Sequence, residues 1–154
     1  MTMDNLQKPP LQGPICPMPH SHTETVVIGH GSGGKMTQDL IRHSFQSRIG
    51  NAFLEEANDA ARITLTCDSN QIAISTDSHV VSPIFFPGGD IGRLAICGTV
   101  NDVAMLGAVP KFLTAGFILE EGLPIASLEA IIDSMAKACQ ESDVQIVAGD
   151  TKVV

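Results

Sequence analysis

Four aspartates, Asp59, Asp77, Asp102 and Asp150, stand where sequence periodicity does not explain them as surface charge. Each falls at the edge of a predicted element or inside an apolar helix. Carboxylates are hard oxygen donors, and several brought together suit magnesium and the phosphates it accompanies. Asp59 and Asp77 flank a predicted β-hairpin, whose pairing brings them into one neighbourhood. Singly, they also read as two solvated loop acids. Asn101 and Asp102 are consecutive in a nearly all-apolar segment, where a carboxylate is costly unless partnered. They either satisfy backbone groups or point into a ligand site that holds a cation.

A second candidate is the glycine loop Gly29-His30-Gly31-Ser32-Gly33-Gly34-Lys35. It follows a short β-like run, Thr25 to Ile28, and leads into a predicted helix over residues 36–48, with Gly50 just past its end. Strand, glycine loop and helix N-terminus together make an anion cradle, because exposed N–H groups and the helix dipole both favour a phosphate. The spacing nearly matches a P-loop, but Met36 stands where a serine or threonine would hold magnesium, so a Walker A motif is rejected. A phosphate-handling loop and a plain glycine linker remain the two readings.

The elements that must position these groups follow in order. Asn51 to Ala60 is a polar connection. Ile63, Leu65 and Cys67 alternate with polar residues, Asp68-Ser69-Asn70 turns the chain, and Gln71 to Thr76 returns. His79 to Phe86 is an apolar loop that ends in the turn Pro87-Gly88-Gly89. Asp90 is the expected N-cap of a helix carrying Ile91, Leu94, Ile96, Val100 and Met105, apolar on most sides and so expected to be buried. Lys111 to Leu119 is a strand, apolar enough to be central. Leu128, Ile131, Ile132, Met135 and Cys139 mark an amphipathic helix, with Asp133 and Lys137 spaced to pair outside it. Val144 to Ala148 is a last strand that delivers Gly149-Asp150-Thr151-Lys152. This order implies an α/β fold, a mixed sheet with helices packed on one face.

Bulk properties narrow the function. The 154 residues suit one domain, residues 24–154, behind a proline-rich tail, residues 1–23. A net charge of −8, with no Trp and no Tyr, argues against nucleic acid or an anionic membrane as partner. Cys67, Cys97 and Cys139 read as buried free thiols, no run reaches transmembrane length and no signal pattern opens the chain, so a cytoplasmic location is expected. In the tail, Cys16, His20 and His22 read as incidental ligands because a fourth is not evident.

The run TDSHVVSPIFFPGGDIGRLAICGTVNDVAMLGA, then GFILEEGLP and AGDTKVV, resembles the HypE family of hydrogenase maturation proteins, in the PurM-like, aminoimidazole-ribonucleotide-synthetase superfamily. The HGSGGK loop and the NDAA run at Asn58 to Ala61 fit the same pattern, and the resemblance covers roughly residues 25–154. It implies a PurM N-terminal-like domain that binds ATP and Mg2+ and forms a homodimer, the sheets of two subunits making a barrel. The implied activity is ATP-dependent dehydration of a C-terminal cysteine thiocarboxamide to a thiocyanate, with HypF supplying the carbamoyl group and the HypC–HypD complex receiving cyanide for iron. The resemblance assigns Asp59, Asp77 and Asp102 to the metal. It assigns Gly31, Ser32, Gly33, Gly34, Lys35, Asn101 and Thr151 to the nucleotide, and Asp150 and Lys152 to catalysis. Family members also have a second α/β domain and a tail ending in cysteine, neither present in this sequence. The alternatives are a non-catalytic dimerisation and docking module, or another ATP-dependent enzyme of the superfamily.

Overall fold

The structure, a computed structural model, describes residues 24–58, 60–66 and 71–154. Asp59, Cys67 and the turn Asp68-Ser69-Asn70 therefore lie outside the described residues, as do Cys16, His20 and His22.

A single parallel strand pair organises the chain. Strand β3 (Phe112–Leu119) pairs with β4 (Gln145–Val153), and helix α5 (Ile125–Ser142) makes the crossover that parallel neighbours require. Leu128, Ile131, Ile132, Met135, Ala138 and Cys139 form the buried stripe of α5. That stripe covers Leu113, Ala115 and Phe117 of β3, which alternate with exposed Phe112, Thr114, Gly116 and Ile118. Helices thus cover one face of the sheet, as expected, and among the described residues the other face is open except where Phe53 packs edge-on against Phe112. A second ladder, β1 (Phe85–Phe86) with antiparallel β2 (Gly89–Asp90), brackets the Pro87-Gly88 turn.

Helix α4 (Ile91–Met105) follows immediately. The Asp90 side chain accepts from the N–H groups of Gly92 and Arg93, at 2.7 and 3.1 Å, and so caps it as the sequence predicts. Gly92 packs α4 tightly on α5, since a Cβ there would stand 2.5 Å from the Ile131 carbonyl oxygen. The expectation that α4 is buried on most sides is corrected. Only Gly92 and Ile96 are buried, and Met105 and Leu106 are largely exposed. One side of the helix has α5 to pack on, and its C-terminal end, Met105 and Leu106, is left uncovered by the described residues.

The N-terminal helical stretch is α1 (Lys35–Leu40), a π-helical segment Ile41–Gln46, then α2 (Ser47–Ile49), followed by the one-turn α3 (Ala52–Glu55) capped by Asn51. The expected run Thr25 to Ile28 is reduced to one antiparallel bridge, Thr25 with Pro124, and Ile28–Gly31 is a 3-10 turn. Val26 is nonetheless fully buried and anchors this end to the core.

Two further expectations are corrected. Residues 61–66 and 71–82 form no strand ladder, so the predicted hairpin is not formed among the described residues. Leu65, Ile72 and Ile74 are exposed, and an isolated two-stranded hairpin with no surface to bury is marginal. The final strand does not stop at Ala148 but runs to Val153, because the ladder with β3 continues, placing Asp150 opposite Gly116 and Lys152 opposite Ile118.

Candidate functional site

The glycine loop is a built turn. Ser32 Oγ donates to the Gly29 carbonyl at 2.8 Å, and the Gly33 N–H donates to Thr37 Oγ1 at 2.9 Å. Gly33 takes φ +79°, a left-handed conformation that favours glycine. Thr37 is buried and ties the exposed tip, Ser32 to Gly34, to the first turn of α1. Lys35 opens that helix and is exposed. Beneath the tip, His30 is buried and its Nδ1 accepts the Val27 N–H at 3.0 Å.

The loop sits on the end of β4. A Cβ added to Gly31 would stand 2.6 Å from the Val153 backbone nitrogen. Gly31 is therefore brought to the residue that follows Lys152, and the fold joins two motifs more than a hundred residues apart in sequence. On β4 itself, Lys152 Nζ donates to Asp150 Oδ1 at 2.6 Å, and the Thr151 N–H donates to the same oxygen at 2.9 Å. The Lys152 hydrogen bond is the main cause that holds the Asp150 carboxyl below its ordinary range. Both side chains are exposed on the open face of the sheet.

A β-bulge decides that face. The register steps from Leu113 opposite Ile146 to Thr114 opposite Ala148, which leaves Val147 as the extra residue. Ile146 and Val147 are both buried, and the alternation resumes one residue out of phase. Asp150 and Lys152 consequently face away from the helices. Without the extra residue they would share the side of Ile146 and enter the core.

The central aspartates meet α4. Residues 75–79 run beside the helix, and alternate residues of this extended segment contact it. Ser75 Oγ donates to Asp102 Oδ2 at 3.1 Å. Asp77 Oδ2 lies 3.2 Å from His79 Nε2, and both groups stand over Gly98. Gly98 and Asp102 are one helical turn apart, about 6 Å along the axis. Asp77 and Asp102 therefore lie along one edge of α4. Asn101 and Asp102 are both exposed, which replaces the expectation that they need buried partners.

Sequence reasoning missed three of these contacts. Thr37, His79 and Gly98 each act across a junction between separate elements. The isolated glycine inside an apolar helix was the one available signal for the last pair.

Asp77 and Asp102 are oxygen donors exposed along one helix edge, a set that fits a hard cation sharing phosphate oxygens. Among the described residues no group of three His, Cys, Asp or Glu is gathered tightly enough to hold a metal ion unaided.

Comparison with known proteins bears on this arrangement. Residues 57–154 match the family described as AIR synthase related protein, N-terminal domain. The chain belongs to that family. It is 50% identical over 132 residues to carbamoyl dehydratase HypE of Escherichia coli K12, covering 84% of this chain and 39% of that protein. It is 52% identical over 130 residues to carbamoyl dehydratase HypE of Azotobacter vinelandii, covering 84% and 38%. The chain thus spans about two fifths of the length of these curated relatives. Among solved structures it is similar to hydrogenase maturation protein HypE in complex with ATP, with 55% identity and a TM-score of 0.80 over 84% of this chain and 38% of that one. It is also similar to HypE in a HypE–HypF complex, with 52% identity and a TM-score of 0.54 over 75% and 36%. The mixed α/β fold expected from the sequence agrees with both the family and these neighbours.

Proposed function

We propose that this chain is the nucleotide-binding portion of a HypE-like carbamoyl dehydratase. The observation that carries this reading is the 55% identity and 0.80 TM-score against HypE in complex with ATP, in a fold that seats the glycine loop on the GDTK strand. Residues Gly31 to Lys35 and Thr151 contact the nucleotide, with Asn101 beside it. Asp77 and Asp102, joined by Asp59, hold magnesium, which neutralises charge on the phosphates. Lys152 supplies a positive charge on the open face of the sheet, where a transferring phosphoryl group carries developing negative charge. Asp150 holds the Lys152 ammonium in place through their 2.6 Å hydrogen bond.

The reaction is phosphorylation of a cysteine thiocarboxamide oxygen by ATP, then elimination of phosphate to leave the thiocyanate. HypF supplies the carbamoyl group and the HypC–HypD complex accepts the cyano group, in the cytoplasm. No helix among the described residues is long and apolar enough to cross a membrane. The functional unit is a homodimer. Leu65, Ile72, Ile74 and Val80 are exposed, an apolar surface that a second copy would cover. Mass spectrometry of the full-length protein, carbamoylated on its cysteine, tests the activity. Loss of one water on addition of MgATP is expected; an unchanged mass with ATP consumed would overturn it. MgATP titration and size exclusion of the isolated chain separate this from a docking module, which would dimerise without binding nucleotide.

A further inference from the structure

We propose that His79 is a positioning residue for Asp77, and that Gly98 of α4 is the helix position that admits it. This rests on the reading of Asp77 as a cation ligand. Residues 75, 77 and 79 recur at the spacing that puts extended side chains on one side of the chain. Ser75 meets Asp102, and Asp77 and His79 meet Gly98, one turn earlier on the same helix. The segment thus lies along α4 through alternate side chains.

The Asp77 carboxylate has a neighbour at each oxygen, a hydrogen bond at one and an ion-pair contact at the other. Oδ1 accepts the Ser78 N–H at 2.8 Å, and Oδ2 stands 3.2 Å from His79 Nε2. The His79 side chain is only 13% exposed, while that of Asp77 is 40% exposed. The carboxylate is therefore braced from the protein side and open toward solvent. A carboxylate fixed in this way presents its remaining lone pairs in one direction, so less orientational freedom is lost when a cation binds.

Glycine leaves the room that this support occupies. A Cβ at position 98 would stand 2.8 Å from His79 Nε2, 3.3 Å from its Cε1 and 3.6 Å from Asp77 Oδ2. The first distance is shorter than real Cβ atoms tolerate, so the imidazole would have to move and the carboxylate would lose its brace. His79 and Gly98 act as one device, although nothing in their sequence separation pairs them.

The test is Mn2+ binding, read by electron paramagnetic resonance in the full-length protein with ATP, beside the melting temperature of each variant. His79→Ala is expected to weaken binding by roughly tenfold or more, and Gly98→Ala by a similar factor. The double variant should be no weaker than either single one, because both remove the same support. His79→Gln, whose amide nitrogen can reach the position of Nε2, should recover most of the affinity. Asp77→Asn separates the two levels. If it leaves Mn2+ binding unchanged, the cation reading of Asp77 fails and the positioning role with it. If it weakens binding while His79→Ala and Gly98→Ala bind as the parent does, only the positioning role is overturned. Additive losses in the double variant would overturn it as well. Should His79→Ala not fold, Gly98→Ala against His79→Gln carries the same comparison.

Discussion

Gly31 lies so close to Val153 that no side chain fits between the glycine loop and the end of β4. The obstruction is the Val153 backbone nitrogen, at 2.6 Å from an added Cβ, so it cannot rotate away. Gly31→Ala must push the loop off the strand. Overpacking of this kind costs about 1–3 kcal/mol. Urea denaturation should show that loss, and ATP titration should show weaker binding. Gly33→Ala is the control. Its space is empty, and only its φ of +79° resists the substitution, at about 1–2 kcal/mol.

Asp102 is exposed and accepts one hydrogen bond from Ser75 Oγ at 3.1 Å. In Asp102→Asn the amide oxygen can still accept that bond, so the fold is kept while the negative charge is lost. Magnesium-dependent ATP hydrolysis of the full-length protein is expected to fall at least about a hundredfold, with melting temperature and oligomeric state unchanged. Hydrolysis near the parental rate would remove Asp102 from the metal site.

Features set by local chemistry were legible in the sequence. Asp90 caps α4 through the N–H groups two and three residues on, and the amphipathic stripe of α5 is its buried face. Features set by contacts between distant segments were not. Asp133 was expected to pair with Lys137 on its own helix, but Arg48 reaches it from α2 at 3.0 Å. The alternation of Leu65, Ile72 and Ile74 is real, yet no surface among the described residues covers them, so it yields no hairpin. Val147 lies inside an apolar run, where nothing marks it as the extra residue of a bulge. The face taken by Asp150 and Lys152 hangs on that one residue.

Lys152→Ala should slow phosphoryl transfer more than it weakens nucleotide binding, because the ammonium faces developing charge. Single-turnover rates and ATP titrations on the full-length protein separate the two, and equal losses would reduce Lys152 to a binding role. The same variant has a readout without substrate. Asp150 titrates below its ordinary value chiefly because Lys152 donates to it. The ionised pair therefore favours the fold above the unfolded-state pKa and is lost as pH falls through the lower folded value. Carboxyl NMR should show the Asp150 midpoint rising in Lys152→Ala.

Arg48 clamps the N-terminal helical stretch to α5. Its Nη2 lies 2.8 Å from Glu129 Oε2, and Ser44 Oγ donates to Glu129 Oε1 at 3.0 Å. The Nε group is within ion-pair distance of Asp133 but makes no aligned hydrogen bond, so the Glu129 contact carries more of the interaction. The guanidinium is mostly covered, at 22% exposure. Arg48→Ala leaves Glu129 and Asp133, one turn apart on α5, without the cation between them and should cost about 1–2 kcal/mol, between the surface and buried limits. Denaturant midpoints would show the loss, and Arg48→Lys should recover only part of it, since an ammonium cannot span both carboxylates.

Cys139 is buried in the packing of α5 against the sheet, and burial is the main reason its thiol is pushed up to about 11. The unfolded thiol ionises near its ordinary value of 9.0, so between there and about 11 the unfolded chain has lost a proton that the folded chain keeps. Stability should therefore fall as pH rises through that window. Cys139→Ala removes this contribution, so its stability should decline less over the same range, measured by denaturant unfolding at pH steps from about 8.5 upward. Alkylation gives a second reading of the same physics. At neutral pH the folded protein should resist iodoacetamide at Cys139 and react there only after unfolding, because the thiolate is the nucleophile and burial withholds it.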